Sequence, residues 1–504
     1  MPIDEALRLT AELIDGATDR ADEGGLELAL RGVKSLLDKG APAGATAHLH
    51  YMEANAWAGL ARLRQPDERA VWAWRQPEVE SELLALRRAR HGEGFDALPA
   101  IRQAQILTNE ANVLDTLGRS LDAIALYRRA QRLVPRFGMA GANLGVALLS
   151  LAVHHYDPGQ VNLLMHAAWR CLTGALREHL EPGAAAYFDE RASVISSRYP
   201  AEFLNNSRPF DEFSLGRTKS ERAYRTWALE KGLFLNPLNA LGAVSIAARD
   251  TLQLPGVVQP LNEGTGLLGM FQQIKQEFVS ARYLAWEGVE LKAVHFSDRD
   301  TLLVNTLDYA AYGLGLEKLK LAYRMAYSLL DKCAFLLNKY FGFGLKDNEV
   351  NLNRIWFVGG KQDRAKPNAN LNPAIVDTAN WPLRGLFWIA RDLHDRDALA
   401  DPIDPDAKEL KAIRDHLEHK YLKVVEWTTP SDDKPDGLRD QYATPIAQGA
   451  LEQKLLHLLS LARSAIVYTA LGVHCEERRR QSTRQQDGIV APLHFPMVDD
   501  RFKR

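Results

Sequence analysis

Apolar residues in the C-terminal half of the chain recur at steps of three and four, the spacing that lines one face of an α-helix. From Leu319 to Tyr340 the stripe passes through Ala322, Ala326, Leu329, Cys333 and Leu336, and Ile274 to Trp286 repeats the pattern on a shorter scale. Three more stretches, Leu383 to Leu393, Asp406 to about Trp427 and Leu451 to about Arg480, bring the number of predicted helices here to five. Between the second and third, residues 342–380 turn polar and Asn-rich, with Gly359-Gly360 beside the apolar island Ile355-Trp356-Phe357. That stretch reads as a long excursion with room for a strand or two. Five helices with one insertion predict an up-and-down bundle.

The first 160 residues read as helix, turn, helix. Ala111, Leu114, Gly118, Ala123, Tyr127, Ala130 and Pro135 resemble the small, apolar, turn and stop positions of a tetratricopeptide (TPR) unit. A shift of one repeat puts Gly145 and Leu148 in place of Ala111 and Leu114, so a second copy begins near Gly138. Glu53-Ala54-Asn55 echoes Glu110-Ala111-Asn112 more faintly. An ordinary helical bundle with the same Ala and Leu spacing is the alternative. Residues 161–262 are broken by Pro182-Gly183, Pro200, Pro209, Pro237 and Pro255, which predicts short helices and long turns. The expected organisation is all-α: a TPR-like array over 1–160, a bridge over 161–262, the bundle over 263–485 and a tail over 486–504.

Composition narrows the functions. The chain has 504 residues, 46% hydrophobic and 25% charged, enough for two or three ordinary cores. Cys171, Cys333 and Cys475 form no C-x-x-C pair, so neither a disulfide framework nor a zinc ribbon is expected, and a reducing cytoplasm fits best. The first residues lack the basic and apolar regions of a secretory leader, and no run approaches eighteen uninterrupted apolar residues, so no membrane role is expected. A net charge of −2 supplies no general attraction to a polyanion. Any contact with nucleic acid must rest on particular residues.

One octet concentrates such residues: Arg414, Asp415, His416, Leu417, Glu418, His419, Lys420 and Tyr421. On a continuous helix, Leu410, Ile413, Leu417, Tyr421 and Val424 form the buried stripe, Arg414 falls on its flank, and Asp415 and His419 point away. Asp415 precedes His419 by four residues, where its carboxylate would orient the imidazole. Arg414 and His419 diverge by about 140°, so one small group meets both only if another wall closes the site. A second copy across a two-fold axis would supply that wall. Nowhere else in the chain is an Arg followed by a His with four, five or six residues between them.

Arg414-x4-His419, with polar Asp415 after the Arg, resembles the R-x(4–6)-H signature of the HEPN superfamily (higher eukaryotes and prokaryotes nucleotide-binding). The segments around Ile274–Trp286, Leu319–Tyr340 and Trp381–Leu393 resemble helices of a bacterial HEPN branch with a TPR-like region upstream. The resemblance spans roughly residues 263 to 480 and, more loosely, the N-terminal array. It implies a metal-independent, cofactor-free endoribonuclease that dimerises, often as a toxin or antiviral effector, with Arg414 and His419 catalytic and Asp415 their polar helper. Asn is frequent at the position of Asp415, so the acid is a departure. RNA cleavage needs proton transfer at the 2′-hydroxyl and 5′-oxygen and stabilisation of the pentacoordinate phosphate; His and Arg suit these tasks. The expected product ends in a cyclic phosphate. The expected partners are RNA, a second copy of the chain, and an antitoxin or activator at the TPR-like region. The alternative is a non-catalytic scaffold that dimerises and binds a protein or nucleotide.

Secondary candidates surround this core. His416 and His419 lack a third ligand and an H-E-x-x-H context, so no metal site is expected. Tyr421 extends the motif to Arg-x4-His-x-Tyr, which resembles an adenylylation target in some HEPN toxins, although the apolar stripe assigns it to packing. Glu277 is an accessory acid or a solvated helix-face residue. Lys420, and Arg478, Arg479 and Arg480 with Arg484, are candidates for RNA phosphates or, for the Arg run, complements to a helix C-terminus. Gly359-Gly360 lacks the Lys-Ser/Thr of a P-loop and is a turn. His154-His155 packs or faces solvent. A solvated face pairing Arg414 with Glu418 uses the same octet without chemistry.

Overall fold

The computed structural model describes residues 3–64, 73–74, 76–181, 183–207, 209–210, 212–306, 309–359, 371–376, 378–393, 404–426, 440, 442–483 and 490–503. Pro182, Gly360, Trp427 and Arg484 lie outside them. The N-terminal part is a run of helices, each packed on the next: α1 (Ile3–Asp19), α2 (Glu23–Asp38), α3 (Ala43–Arg64), α4 (Pro77–His91), α5 (Ala100–Thr116), α6 (Ser120–Leu133), α7 (Gly138–Val153), α8 (Pro158–Ala175) and α9 (Ala184–Ser196). Local chemistry sets the boundaries. The Asp22 and Asp157 side chains accept from the backbone N–H of Gly25 and Gln160, each at 3.0 Å, and so cap α2 and α8. Gly118 takes φ +84° in the turn from α5 to α6, a conformation that side chains disfavour. α7 begins at Gly138, where the second repeat unit was expected.

The proline-broken stretch begins within α8, holds α9, and continues with α10 (Ala201–Asn205) and α11 (Lys219–Glu230) before a series of turns. The bundle follows, with α12 (Gly266–Glu290), α13 (Leu314–Phe341), the short α14 (Pro373–Val376), α15 (Trp381–Leu393), α16 (Ala407–His419) and α17 (Gln448–Thr483). Among the described residues the molecule is thus all-α apart from one small sheet, as its periodicity predicts. α17 is long and apolar enough to cross a bilayer by composition, but 83% of its most apolar window is buried inside the protein. It is apolar all round its middle because other helices surround it.

The polar excursion contributes α14 and an isolated bridge between Phe357 and Leu371. The sheet forms instead where a helix was expected. α16 ends at His419, and the chain continues as β1 (Leu422–Val425), which pairs in parallel with β2 (Thr444–Ala447), Leu422 opposite Thr444 and Val425 opposite Ala447. On the other side of β1, Ala311 N–H donates to Val424 O at 2.8 Å and Glu426 N–H to Tyr309 O at 3.3 Å. Leu422, Lys423, Val424 and Val425 are all buried. A β-branched pair with strand partners on both sides outweighs the helical spacing of Tyr421 and Val424.

One hydrophobic core runs from Tyr51 in α3 to Val473 in α17, and a second, smaller one joins α1, α2 and α3. The helical array and the bundle share the larger core through α15, where every residue from Pro382 to Leu393 is buried. Gly385 crosses the α5–α6 turn so closely that a Cβ there would lie 2.3 Å from Gly118 O. The Asp392 carboxylate, fully buried, accepts from Arg87 at 2.7 and 2.9 Å and also from Arg119. Nearby, Arg391 pairs with Glu80 at 2.6 Å, and Arg384 donates to Ala73 O at 2.9 Å. These charges are tolerated in the interior because each has a partner.

Candidate active site

α16 carries the octet and is fastened along its length. Its buried face is Ala407, Leu410, Ile413 and Leu417; the last three are the part of the expected stripe that lies within the helix. At its start, Lys454 of α17 reaches Asp406 and Glu409 at 2.7 and 2.8 Å, and His457 donates to Asp404 at 2.9 Å. Burial alone would push the Asp404 carboxyl up. His457, Arg87 and the Asp406 N–H together hold it well below the usual carboxylate range. On the α13 side, the Tyr323 hydroxyl donates to Leu410 O at 2.9 Å. At its far end, Arg324 donates to Leu417 O, meeting carbonyls that the helix itself leaves unpaired.

Within this frame the two histidines separate. His416 Nδ1 donates to Ala412 O at 2.6 Å, and Nε2 shares a hydrogen bond with the Thr444 hydroxyl at 2.7 Å. His416 ties α16 to β2 and has no nitrogen left for a substrate. His419 is the last residue of α16, is exposed, and makes no hydrogen bond or ion pair among the described residues. The side chain three positions away is engaged; this one is open.

Arg414 leaves the buried stripe on its flank. Its guanidinium lies 5.5 Å from the centre of the Tyr327 ring, and its Nη1 donates to Asp415 at 3.1 Å. The expected support of His419 by Asp415 is therefore replaced by a bond from Asp415 to Arg414, which leaves the imidazole free to turn. Beneath Arg414, burial pushes the Tyr327 phenol up to about 12, with Asp331 adding to the effect and Arg414 opposing it. Burial likewise raises Asp331, although the Leu352 N–H, at 2.9 Å, and Arg414 both favour its ionised form.

Arg324, Tyr327 and Asp331 were absent from the candidates drawn from sequence. They occupy one row of α13 at steps of three and four, beside the apolar stripe. That polar row next to a buried one is the signal that could have found them. Glu418 approaches Arg324 at 3.9 Å and not Arg414, so the solvated Arg414–Glu418 pair does not form.

The remaining candidates fall elsewhere. Tyr421 follows the helix end and is 42% exposed, so the packing role expected of it on a continuous helix is lost. Lys420 is exposed beside it. Glu277 of α12 is bound to Lys332 and to Gln273, the latter at 2.9 Å. Arg478, Arg479 and Arg480 lie near the far end of α17, roughly 45 Å along the helix from its start beside the octet. Arg479 and Arg480 are also committed to Glu476, at 2.8 Å each, and Arg480 lies over Tyr340. They cannot meet a phosphate held at the octet of the same protomer. His154 is bonded to Ser150 O at 2.8 Å and His155 to Gln160 at 3.0 Å. Among the described residues no three His, Cys, Asp or Glu side chains group where they would hold a metal ion.

The helical bundle that carries Arg414 and His419 five residues apart on one helix is similar to a HEPN domain, which suggests a nuclease-type or nucleotide-binding function. Residues 258–476 match the family model of the LA2681-like HEPN domain, and this part of the chain is a HEPN domain. The match contains the whole octet and the row on α13. No curated protein and no solved structure matches the chain.

Proposed function

We propose that the protein is a metal-independent endoribonuclease in which Arg414 binds the scissile phosphate and His419 transfers protons. The observation that carries this reading is the division of labour along α16: His416 is engaged at both ring nitrogens and Glu409 is paired with Lys454, while His419 is open at the helix end and Arg414 is braced by Tyr327 and Asp415. Asp415 fixes the guanidinium and not the imidazole. Two such sites facing across a dimer axis would provide one histidine as base and one as acid.

A dimer through this end of the bundle is supported by the apolar surface beside it. Tyr309 and Tyr442 are 55 and 90% exposed on segments adjoining β1 and β2, and Leu302 and Val304, 96 and 83% exposed, precede Tyr309 by a few residues. Large apolar side chains left open next to a site mark an interaction surface where they form one contiguous area. In this reading the TPR-like array, joined to the bundle through Asp392 and Gly385, carries regulation of a toxin or defence activity.

The test is cleavage of a fluorogenic RNA with EDTA present. Wild type is expected to cleave and leave a cyclic phosphate, and His419→Ala and Arg414→Ala to lose most activity while remaining folded. Activity that disappears in EDTA and returns with Mg²⁺ or Zn²⁺, or that survives His419→Ala unchanged, would overturn the reading.

A further inference from the structure

A groove of about 600 Å³ lies among α2, α3 and α4, away from the octet. Helical spacing lines it from both sides. α2 presents Leu30, Arg31, Lys34, Leu37 and Asp38 along one face, and α3 opposes them with the half-buried indole of Trp57. Arg88 enters from α4.

The charges of the groove are of two kinds. Arg64 is saturated by Glu23, Glu27 and Glu78 at 2.8, 2.7 and 3.3 Å, and His50 is bound to Glu53 at 2.9 Å. Arg31, Lys34 and Arg88 make no ion pair or hydrogen bond among the described residues. Three unpaired cations beside an aromatic wall form a site for an anionic group attached to an apolar one.

The same molecule carries a segment of complementary chemistry. In residues 490–503, Leu493, Met497, Val498 and Phe502 are 66, 75, 66 and 66% exposed. The segment touches Gln253, whose Nε2 lies 3.9 Å from the Met497 sulfur, and Lys503 lies near enough to Lys275 to help depress its pKa. Among the described residues it makes no hydrogen bond or ion pair with α2, α3 or α4. From Val498 its order is apolar, acidic, acidic, basic, apolar: Val498, Asp499, Asp500, Arg501, Phe502. Along α2 the groove reads Leu30, then the cations Arg31 and Lys34, then Leu37 and the acid Asp38. Asp500–Phe502 forms a single 3-10 turn in which Asp499 and Asp500 make exposed pairs with Arg501 and Lys503 at 3.1 and 2.6 Å; docking would exchange those weak pairs for the groove's cations and open Val498 to Phe502 to roughly 13 Å, against roughly 12 Å of helix from Leu30 to Asp38.

We propose that this groove receives residues 498–502 of a second copy of the chain. Val498 packs on Trp57 and Leu30, Asp499 and Asp500 meet Arg31, Lys34 and Arg88, and Arg501 faces Asp38. The sign change along the groove favours a peptide over a nucleic acid, whose phosphates would run past Asp38 and Glu53. The contact is head-to-tail and independent of the catalytic reading, because neither partner surface includes the octet.

A fluorescein-labelled peptide of residues 490–503, titrated with the full chain and followed by anisotropy, tests this. Saturable binding is expected, weakened at least about tenfold in an Arg31→Glu, Lys34→Glu double variant and regained when the peptide carries Asp499→Lys and Asp500→Lys. Both positions are exposed, so an unchanged melting temperature will confirm that the double variant is folded. Absence of binding at roughly 100 µM protein, or equal binding by wild type and variant, overturns the proposal. So does stronger, salt-sensitive displacement of the peptide by a single-stranded RNA, which would assign the groove to nucleic acid.

Discussion

His416 and His419 stand three residues apart on the same helix, and replacing each with alanine is expected to give opposite outcomes. His416→Ala removes the bonds to Ala412 O at 2.6 Å and to the Thr444 hydroxyl at 2.7 Å. The Ala412 carbonyl keeps its helical partner and the half-buried Thr444 hydroxyl can turn to water, so neither group is stranded. Two net hydrogen bonds at about 0.5–1.5 kcal/mol each then set the loss, roughly 1–2 kcal/mol for a partly buried site. In a 504-residue chain that unfolds as one unit, the unfolding entropy is about 1 kcal/mol/K, so Tm falls by about 1–2 °C. His419→Ala removes an exposed side chain with no partner and should stay within about 0.5 kcal/mol of wild type. Cleavage divides the other way: a loss of at least about 100-fold is expected for His419→Ala, the contribution typical of a positioned acid or base, and a small loss for His416→Ala. Urea denaturation paired with the rate on a fluorogenic RNA measures both. Should His419→Ala destabilise the chain and still cleave, while His416→Ala is stable and inactive, the assignment of the two rings is reversed and the reasoning fails.

Three further outcomes follow from the interior. Asp392→Ala removes the shared carboxylate between two guanidiniums that are 5 and 3% exposed; although Arg87 keeps Glu110 at 3.6 Å and Arg119 keeps Asp122, two buried like charges then face each other without it, and the variant should lose about 3–5 kcal/mol in chemical denaturation; an unchanged midpoint would refute this. Gly385→Ala puts a methyl group 2.3 Å from Gly118 O, and is expected to cost about 1–3 kcal/mol and to raise proteolysis between α5 and α6, whereas Gly269→Ala, with open space around it, should not. Asp404 has a folded pKa depressed below its unfolded value of about 4, so its stabilisation is present above that pH and lost as the pH falls through the acid range. Asp404→Asn should therefore lower Tm at pH 7 and flatten the decline in Tm below about pH 4, which thermal melts across pH will show.

Helical content, the five long bundle helices, the start of α7 at Gly138 and the buried row Leu410, Ile413 and Leu417 were all determined by the sequence alone. They depend on residues a few positions apart, and a period of 3.6 records such neighbours directly. The placement of Arg414 on the flank of the buried row and of His419 on the exposed side was legible for the same reason. The end of α16 was not, because Tyr421 and Val424 keep helical spacing while β2 and residues 309–311, distant in sequence, draw Leu422–Val425 into a strand. The partners of the octet were equally hidden: Asp415 bonds Arg414 and not His419, Thr444 claims His416, and Arg324, Tyr327 and Asp331 lie some 90 residues upstream. Arg479 and Arg480 looked available until Glu476 and the length of α17 excluded them from the octet of their own protomer. Which side chain touches which is decided by packing between remote segments, and only the tertiary structure contains that information.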